Sequence, residues 1–389
     1  MQLNVWPSFE EDEIHAATTV LRSGKVNYWT GEQGRLFEKE FAAYCGSAYG
    51  VAVANGSVGL DAALHVLGIG KGDEVIVSPR SFFASAGAIA LSGALPAFAE
   101  VDRDSQNITP DSIAARLSSR TKAILCVHLN GWPCDMAAIR ELADKHGLFV
   151  IEDCAQAHGA KIDGRFAGTW GHIGVFSFCQ DKIMTTAGEG GMLLTDDPGL
   201  WSKLWSFKDH GKSYERVHAQ DHPEGFRWLH ESIGTNYRMT EVQAAVGRVQ
   251  LKKLDGWVET RRRHAAFINN AVAHIDCIRV VNPPANTYHS YYKHYIFVRP
   301  ERLAKGWDRN RILREFAKAG IPALSGACPE IYLEKAFAGS AAKPAERLAV
   351  ARELGETSLQ FLVHPTLTDE QVTWVAARAG EVLLRAQGA

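Results

Sequence analysis

Phe176-Ser177-Phe178-Cys179-Gln180-Asp181-Lys182-Ile183-Met184-Thr185-Thr186-Ala187-Gly188-Glu189-Gly190-Gly191 is the stretch on which the fold turns. An apolar run over 174–178 leads into a lysine. A glycine-rich segment then precedes the next apolar run, 192–194. Surface-helix lysines usually have charged neighbours at helical spacing, whereas Lys182 lies among small residues and hydroxyls. That setting suits an amine beside a bound ligand, partly desolvated so that it can be neutral and nucleophilic. The loop between the two runs is too short for a crossover helix, so the strands should pair antiparallel.

Further runs at 51–54, 75–77, 97–101, 123–127 and 149–151 also read as strands, mostly separated by helical or loop stretches. This alternation predicts an α/β fold around a mainly parallel, seven-stranded sheet. In such sheets ligands bind outside the carboxyl ends of the strands. Residues 240–257 read as one long helix, with Val242, Ala245, Val246, Val249 and Leu254 among its apolar positions. The remainder, strand-like over 291–298 and helix-like over 308–319, suits a smaller α+β domain. The expected division is a large domain, 1–255, and a small C-terminal domain, 256–389. Residues 212–231 have weak periodicity and read as a long loop.

An activated lysine can form a Schiff base with the aldehyde of pyridoxal 5'-phosphate (PLP). That cofactor also needs a phosphate site, a partner for its pyridine nitrogen and cover for its ring. For the phosphate, Asn55-Gly56-Ser57-Val58-Gly59 joins a strand to a helical pattern. Gly56 allows a tight turn, Ser57 is a good N-cap, and free N–H groups follow it. There is no Walker lysine and no G-x-G-x-x-G, which disfavours a nucleotide P-loop or dinucleotide fingerprint. For the pyridine nitrogen, the strand at 148–151 runs into Glu152-Asp153-Cys154-Ala155-Gln156-Ala157-His158. Asp153 is the candidate acid, while Glu152 should point to the other face. Gln156 and His158 lie near enough to meet the ring oxygen or a substrate. For the ring face, Phe82 or Phe83 follows the strand at 73–79.

These motifs occur in order with Gly188-Glu189-Gly190-Gly191 and Gly234-Thr235-Asn236-Tyr237-Arg238-Met239-Thr240-Glu241. The ordered set resembles the DegT/StrS-type sugar aminotransferases, of PLP fold type I, over nearly the whole chain. The resemblance implies that Lys182 carries the cofactor, that Asp153 pairs with the pyridine nitrogen and that Gln156 lies against the ring. Ser57 and Ser177 would bind the phosphate within the Gly56–Ser57–Val58 loop, and Phe82 would stack. Asn236 would reach the phosphate of a neighbouring subunit, making a homodimer with shared active sites. The implied reaction moves an amino group from an amino acid, expected to be L-glutamate, to a nucleotide-linked 4-keto or 3-keto deoxysugar. PLP would cycle through pyridoxamine 5'-phosphate, in the service of surface polysaccharide or glycoconjugate synthesis. A related dehydratase branch has histidine at the lysine position, so Lys182 disfavours a sugar dehydratase or eliminase. A non-catalytic regulatory protein of the same fold is the other alternative.

Tyr28, Trp29, His158, Arg238 and His289 are polar or aromatic candidates for the sugar-nucleotide pocket, with Arg238 and the histidines suited to a diphosphate. The 389 residues carry 42 basic and 44 acidic side chains, a net charge of −2. No global field therefore favours nucleic acid or an anionic membrane. The triplet Arg261-Arg262-Arg263 reads as a solvated helix face. The seven cysteines are scattered, with no C-x-x-C and no metal-ligand spacing. Together with an N-terminus unlike a signal peptide, they point to a reducing, cytoplasmic setting.

Overall fold

The computed structural model describes residues 1–221 and 224–388. Nine strands form in the first half: β1 (Tyr49–Val53), β2 (Glu74–Val77), β3 (Leu95–Phe98), β4 (Thr121–Val127), β5 (Phe149–Asp153), the short β6 (Lys161–Ile162) and β7 (Arg165–Phe166), β8 (Ile173–Ser177) and β9 (Gly191–Thr195). Seven of them form one sheet in the order β1-β9-β8-β5-β4-β2-β3. The pairs from β3 to β8 are parallel, while β9 pairs antiparallel with both β8 and β1. β9 thus runs against the other six, as the short lysine loop requires. β2, β8 and β9 are buried along their whole length, which is why these strands read as continuous apolar runs.

Five further strands follow: β10 (Ile278–Arg279), β11 (Thr287–Tyr288), β12 (His294–Val298), β13 (Ala323–Leu324) and β14 (Ser358–Phe361). β10-β12-β14-β13 make an antiparallel sheet, and β11 joins β6 and β7 in a third. The helices Leu254–Val272, Arg309–Lys318 and Asp369–Ala386 supply a second core containing Ile268, Ile296, Phe316, Phe361 and Leu383. Leu3 packs against that core. Beside it the Asn4 side chain donates to the Thr366 carbonyl at 2.6 Å, and Gln371 donates to that of Gln2 at 3.0 Å.

Several expectations need correction. Residues 240–257 are two helices, Glu241–Leu251 and Leu254–Val272. The apolar spacing continues across the break, but the two faces pack on different partners. The first helix lies against Glu11–Ser23 and Gln33–Cys45, the second against Asp369–Ala386. At the break Lys253 Nζ is drawn to Glu10, Asp12 and Glu13 at 2.7–3.1 Å. The run at 97–101 begins earlier, at Leu95, and ends at Phe98. The run at 291–298 becomes strand only at His294, because Tyr291 takes a left-handed φ of 47°. Arg261 is not solvated: it is buried and donates to the Tyr292 carbonyl at 2.9 Å, and only Arg263 of the triplet is exposed. The stretch 212–231 contains a short helix, Tyr214–His218, and residues 222–223 lie outside the described residues. No described helix is long and apolar enough to cross a membrane.

Candidate active site

The carboxyl ends of β1, β2, β5 and β8 open onto one cavity of about 740 Å³. Asn55, Gly56, Ser57, Val58, Phe82, Asp153, Gln156, Ser177 and Lys182 all line it. At the end of β1 the cap of the helix Gly56–Val66 is Asn55 rather than Ser57, its Oδ1 accepting from Val58 N at 3.0 Å. The first N–H groups of a helix lack intrahelical partners and attract anions. Ser57 is thereby left exposed at that end. The helix approaches β8 closely: a Cβ on Gly56 would lie 2.7 Å from Ser177 Cβ. A side chain there would fill the cradle that an anion needs.

Asp153 ends β5, 7% exposed. Its Oδ2 accepts from Ser85 Oγ at 2.7 Å and its Oδ1 from Ala155 N at 3.1 Å. Both bonds fix the carboxylate at the cavity wall. The neighbouring Glu152 points the other way. It is fully buried, 2.8 Å from His128 Nε2, and accepts from the backbone N–H groups of Gly168, Trp170 and Gly171. His128 and those N–H groups hold its pKa below the usual carboxylate range against the cost of burial. Gln156 Oε1 accepts from Asn130 N at 2.7 Å, which fixes the side chain at the rim.

The lysine loop is held on both sides. Thr185 Oγ1 donates to the Phe178 carbonyl at 2.8 Å, and Thr185 N donates to Gln250 Oε1 at 2.8 Å. The Trp6 indole N–H donates to the Lys182 carbonyl at 2.8 Å. Lys182 Nζ lies 5.0 Å from the centroid of the Tyr292 ring. A mobile amine on a fixed backbone, a paired carboxylate and a helix N-terminus therefore face one space. These residues fit PLP, with the aldehyde at Lys182, the ring nitrogen at Asp153 and the phosphate at Gly56–Val58.

Other candidates lie at the rim of the cavity or away from it. Phe82 stands at the rim with 68% of its surface exposed, so nothing in this chain presses it onto a ring. Asn236 does not line the cavity; it bridges to Asp209 in backbone pairing, and the Arg238 guanidinium donates to Asp209 Oδ1 at 2.9 Å. Tyr28 is buried, donating to Glu38 Oε2 at 3.1 Å, and Trp29 meets Trp205 edge-on. His158 is buried between the Phe176 and Phe178 rings, and burial together with Lys182 pushes its pKa down to about 3. His289 stacks on Tyr291 with ring centroids 3.7 Å apart. None of Tyr28, Trp29, His158, Arg238 and His289 lines the cavity. Ser85, Tyr292, Lys293, Cys328 and Gln360 also line it. Lys293 was hidden in an apolar run.

The family model described as the DegT/DnrJ/EryC1/StrS aminotransferase family matches residues 7–379. GDP-perosamine synthase of Escherichia coli O157:H7 is 34% identical over 360 residues, 91% of this chain and 92% of that one. The aminotransferase from Psychrobacter cryohalolentis has a crystal structure that superposes with a TM-score of 0.97. It is 52% identical and covers 98% of both chains. DesV of S. venezuelae, solved in complex with a ketimine intermediate, gives a TM-score of 0.85 at 33% identity, covering 95% of this chain and 94% of that one.

Proposed function

The chain belongs to the DegT/DnrJ/EryC1/StrS aminotransferase family, and from that premise we propose that it transfers an amino group from an amino acid, L-glutamate first, to a nucleotide-linked keto sugar. PLP is the cofactor of this family; when bound it supplies an electron sink and carries nitrogen between the two half-reactions. What supports the reading is the convergence of Lys182, Asp153 and the Gly56–Val66 helix N-terminus on one cavity. Lys182 Nζ would hold the cofactor, and when free would take the proton from the donor Cα and return one to the carbon that receives nitrogen. Asp153, held by Ser85 and Ala155, would pair with the ring nitrogen. The N–H groups at Gly56–Val58, with the Ser57 and Ser177 hydroxyls, would bind the phosphate.

In this reading the enzyme is a cytoplasmic homodimer serving surface polysaccharide or glycoconjugate synthesis. Asn236 acts in the neighbouring subunit's site, and the chain divides into domains 1–255 and 256–389. The test is spectroscopic. Wild-type holoenzyme should lose its cofactor band on addition of L-glutamate. Lys182→Ala should show neither the band of the lysine-linked cofactor nor turnover of a nucleotide-linked keto sugar to the amino sugar. Turnover by Lys182→Ala at a near-normal rate would refute the assignment.

A further inference from the structure

Resting on that reading, we propose that Lys293 binds a carboxylate of the substrate in the cavity where Lys182 acts. Lys293 lines both this cavity and an adjoining one of about 380 Å³, and its side chain is only 17% exposed. Its ammonium lies 4.6 Å from the centroid of the Tyr292 ring, the same ring that Lys182 Nζ approaches at 5.0 Å. Two amines thus share one aromatic wall.

Charge on this wall is unbalanced. Among the described residues Asp181 is the only acid within ion-pair distance of Lys293, at 3.5 Å, and its Oδ2 already accepts from the Tyr292 hydroxyl. That separation is longer than a good ammonium–carboxylate bond. Asp153, the other acid set into the wall, is committed to Ser85 and Ala155. Arg261, buried behind Tyr292, adds a third cation, with its guanidinium 5.2 Å from the Trp6 ring centroid. Lys293 and Arg261 therefore both draw on the charge of Asp181. Partly buried cations of this kind call for paired anions. Burial and Lys182 hold the Lys293 pKa below its ordinary value against the pull of Asp181, and a carboxylate beside it would reverse that. The phosphate has its own site at the Gly56–Val66 helix, so the anion at Lys293 is a different one. In transamination the amino acid brings a carboxylate to the carbon on which Lys182 works; an acidic sugar is the second possible source.

The test uses holoenzyme, with Lys293→Gln to remove the charge and Lys293→Arg to keep it. Both should retain the resting cofactor spectrum. If the amino acid supplies the carboxylate, the concentration of L-glutamate that half-saturates loss of the cofactor band, with no sugar present, should rise at least tenfold in Lys293→Gln and recover substantially in Lys293→Arg. If the sugar supplies it, the glutamate step should be unchanged. A nucleotide-linked amino uronate, run in the reverse half-reaction, should then lose at least tenfold while the neutral amino sugar does not. Both half-reactions within twofold of wild type would overturn the assignment. A wild-type holoenzyme that responds to no amino acid would instead sink the aminotransferase reading, and this assignment with it.

Discussion

Asp153 illustrates how much a single side chain owes to its neighbours. Its carboxylate accepts from Ser85 Oγ and Ala155 N, so it is held in one orientation. In Asp153→Asn the amide cannot stabilise a positive ring nitrogen, and the electron sink weakens. We expect the glutamate half-reaction to slow by more than tenfold, a loss of at least about 1.4 kcal/mol in transition-state stabilisation. Stopped-flow measurement at saturating glutamate checks this, and a change under tenfold would count against the role. Lys182 and Asp153 were legible in the sequence because each interrupts an apolar pattern at a strand end with a chemistry that pattern does not need. Lys293 was not legible. Its neighbours Tyr291, Tyr292 and Tyr295 make the run look like strand, whereas the chain turns left-handed at Tyr291 and Lys293 lines the cavity. Arg261 was misjudged for the opposite reason, since three consecutive arginines read as a wet helix face whichever one is buried.

At the level of elements, the site depends on how closely the Gly56–Val66 helix approaches β8. A Cβ at position 56 would come within 2.7 Å of Ser177 Cβ, and one at position 191 within 2.6 Å of the Asn55 carbonyl carbon. Neither contact can relax through the far end of a flexible side chain. Gly56→Ala should therefore push the helix N-terminus off the strand and weaken PLP binding at least tenfold, read by equilibrium dialysis against free PLP. Unchanged affinity would show that this approach does not shape the phosphate site. Within the sheet, the antiparallel β8–β9 pair followed from run lengths and the short loop. The break at 252–253 did not, because apolar periodicity reports which positions are buried but not against which partner.

Across the whole molecule, acid sensitivity should be built in. His294 is fully buried, with no partner for either ring nitrogen among the described residues, and burial alone pushes its pKa down to about 3. The unfolded chain titrates near 6.5. Above that value both states are neutral and nothing is lost. As pH falls from about 6.5 towards about 3, the unfolded chain binds a proton that the fold refuses, so stability drops, by about 2 kcal/mol at pH 5 from this residue. His294→Leu should flatten the fall in urea midpoint between pH 7 and pH 5; an unchanged slope would mean that His294 finds room to protonate. His158 and His364 are depressed to about 3 as well, so only part of the slope should disappear. The proposed sharing of sites between copies predicts complementation. Lys182→Ala and Asn236→Ala, each impaired alone, should regain activity when co-refolded, because the mixed dimer holds one intact site. No gain on mixing would place Asn236 within a single chain's business.

The indole of Trp6 grips the backbone of Lys182, while Asn4 and Gln2 are themselves held by Thr366 and Gln371. Synthesis runs in one direction, so the latch is made first and its anchorage last. A nascent polypeptide still on the ribosome with some 350 residues emerged, at roughly 5–20 residues per second, would already own the reactive amine and its acid but not the clasp that steadies them. Cofactor capture on this account is a late event, completed only when Thr366 and Gln371 have been made and meet Asn4 and Gln2.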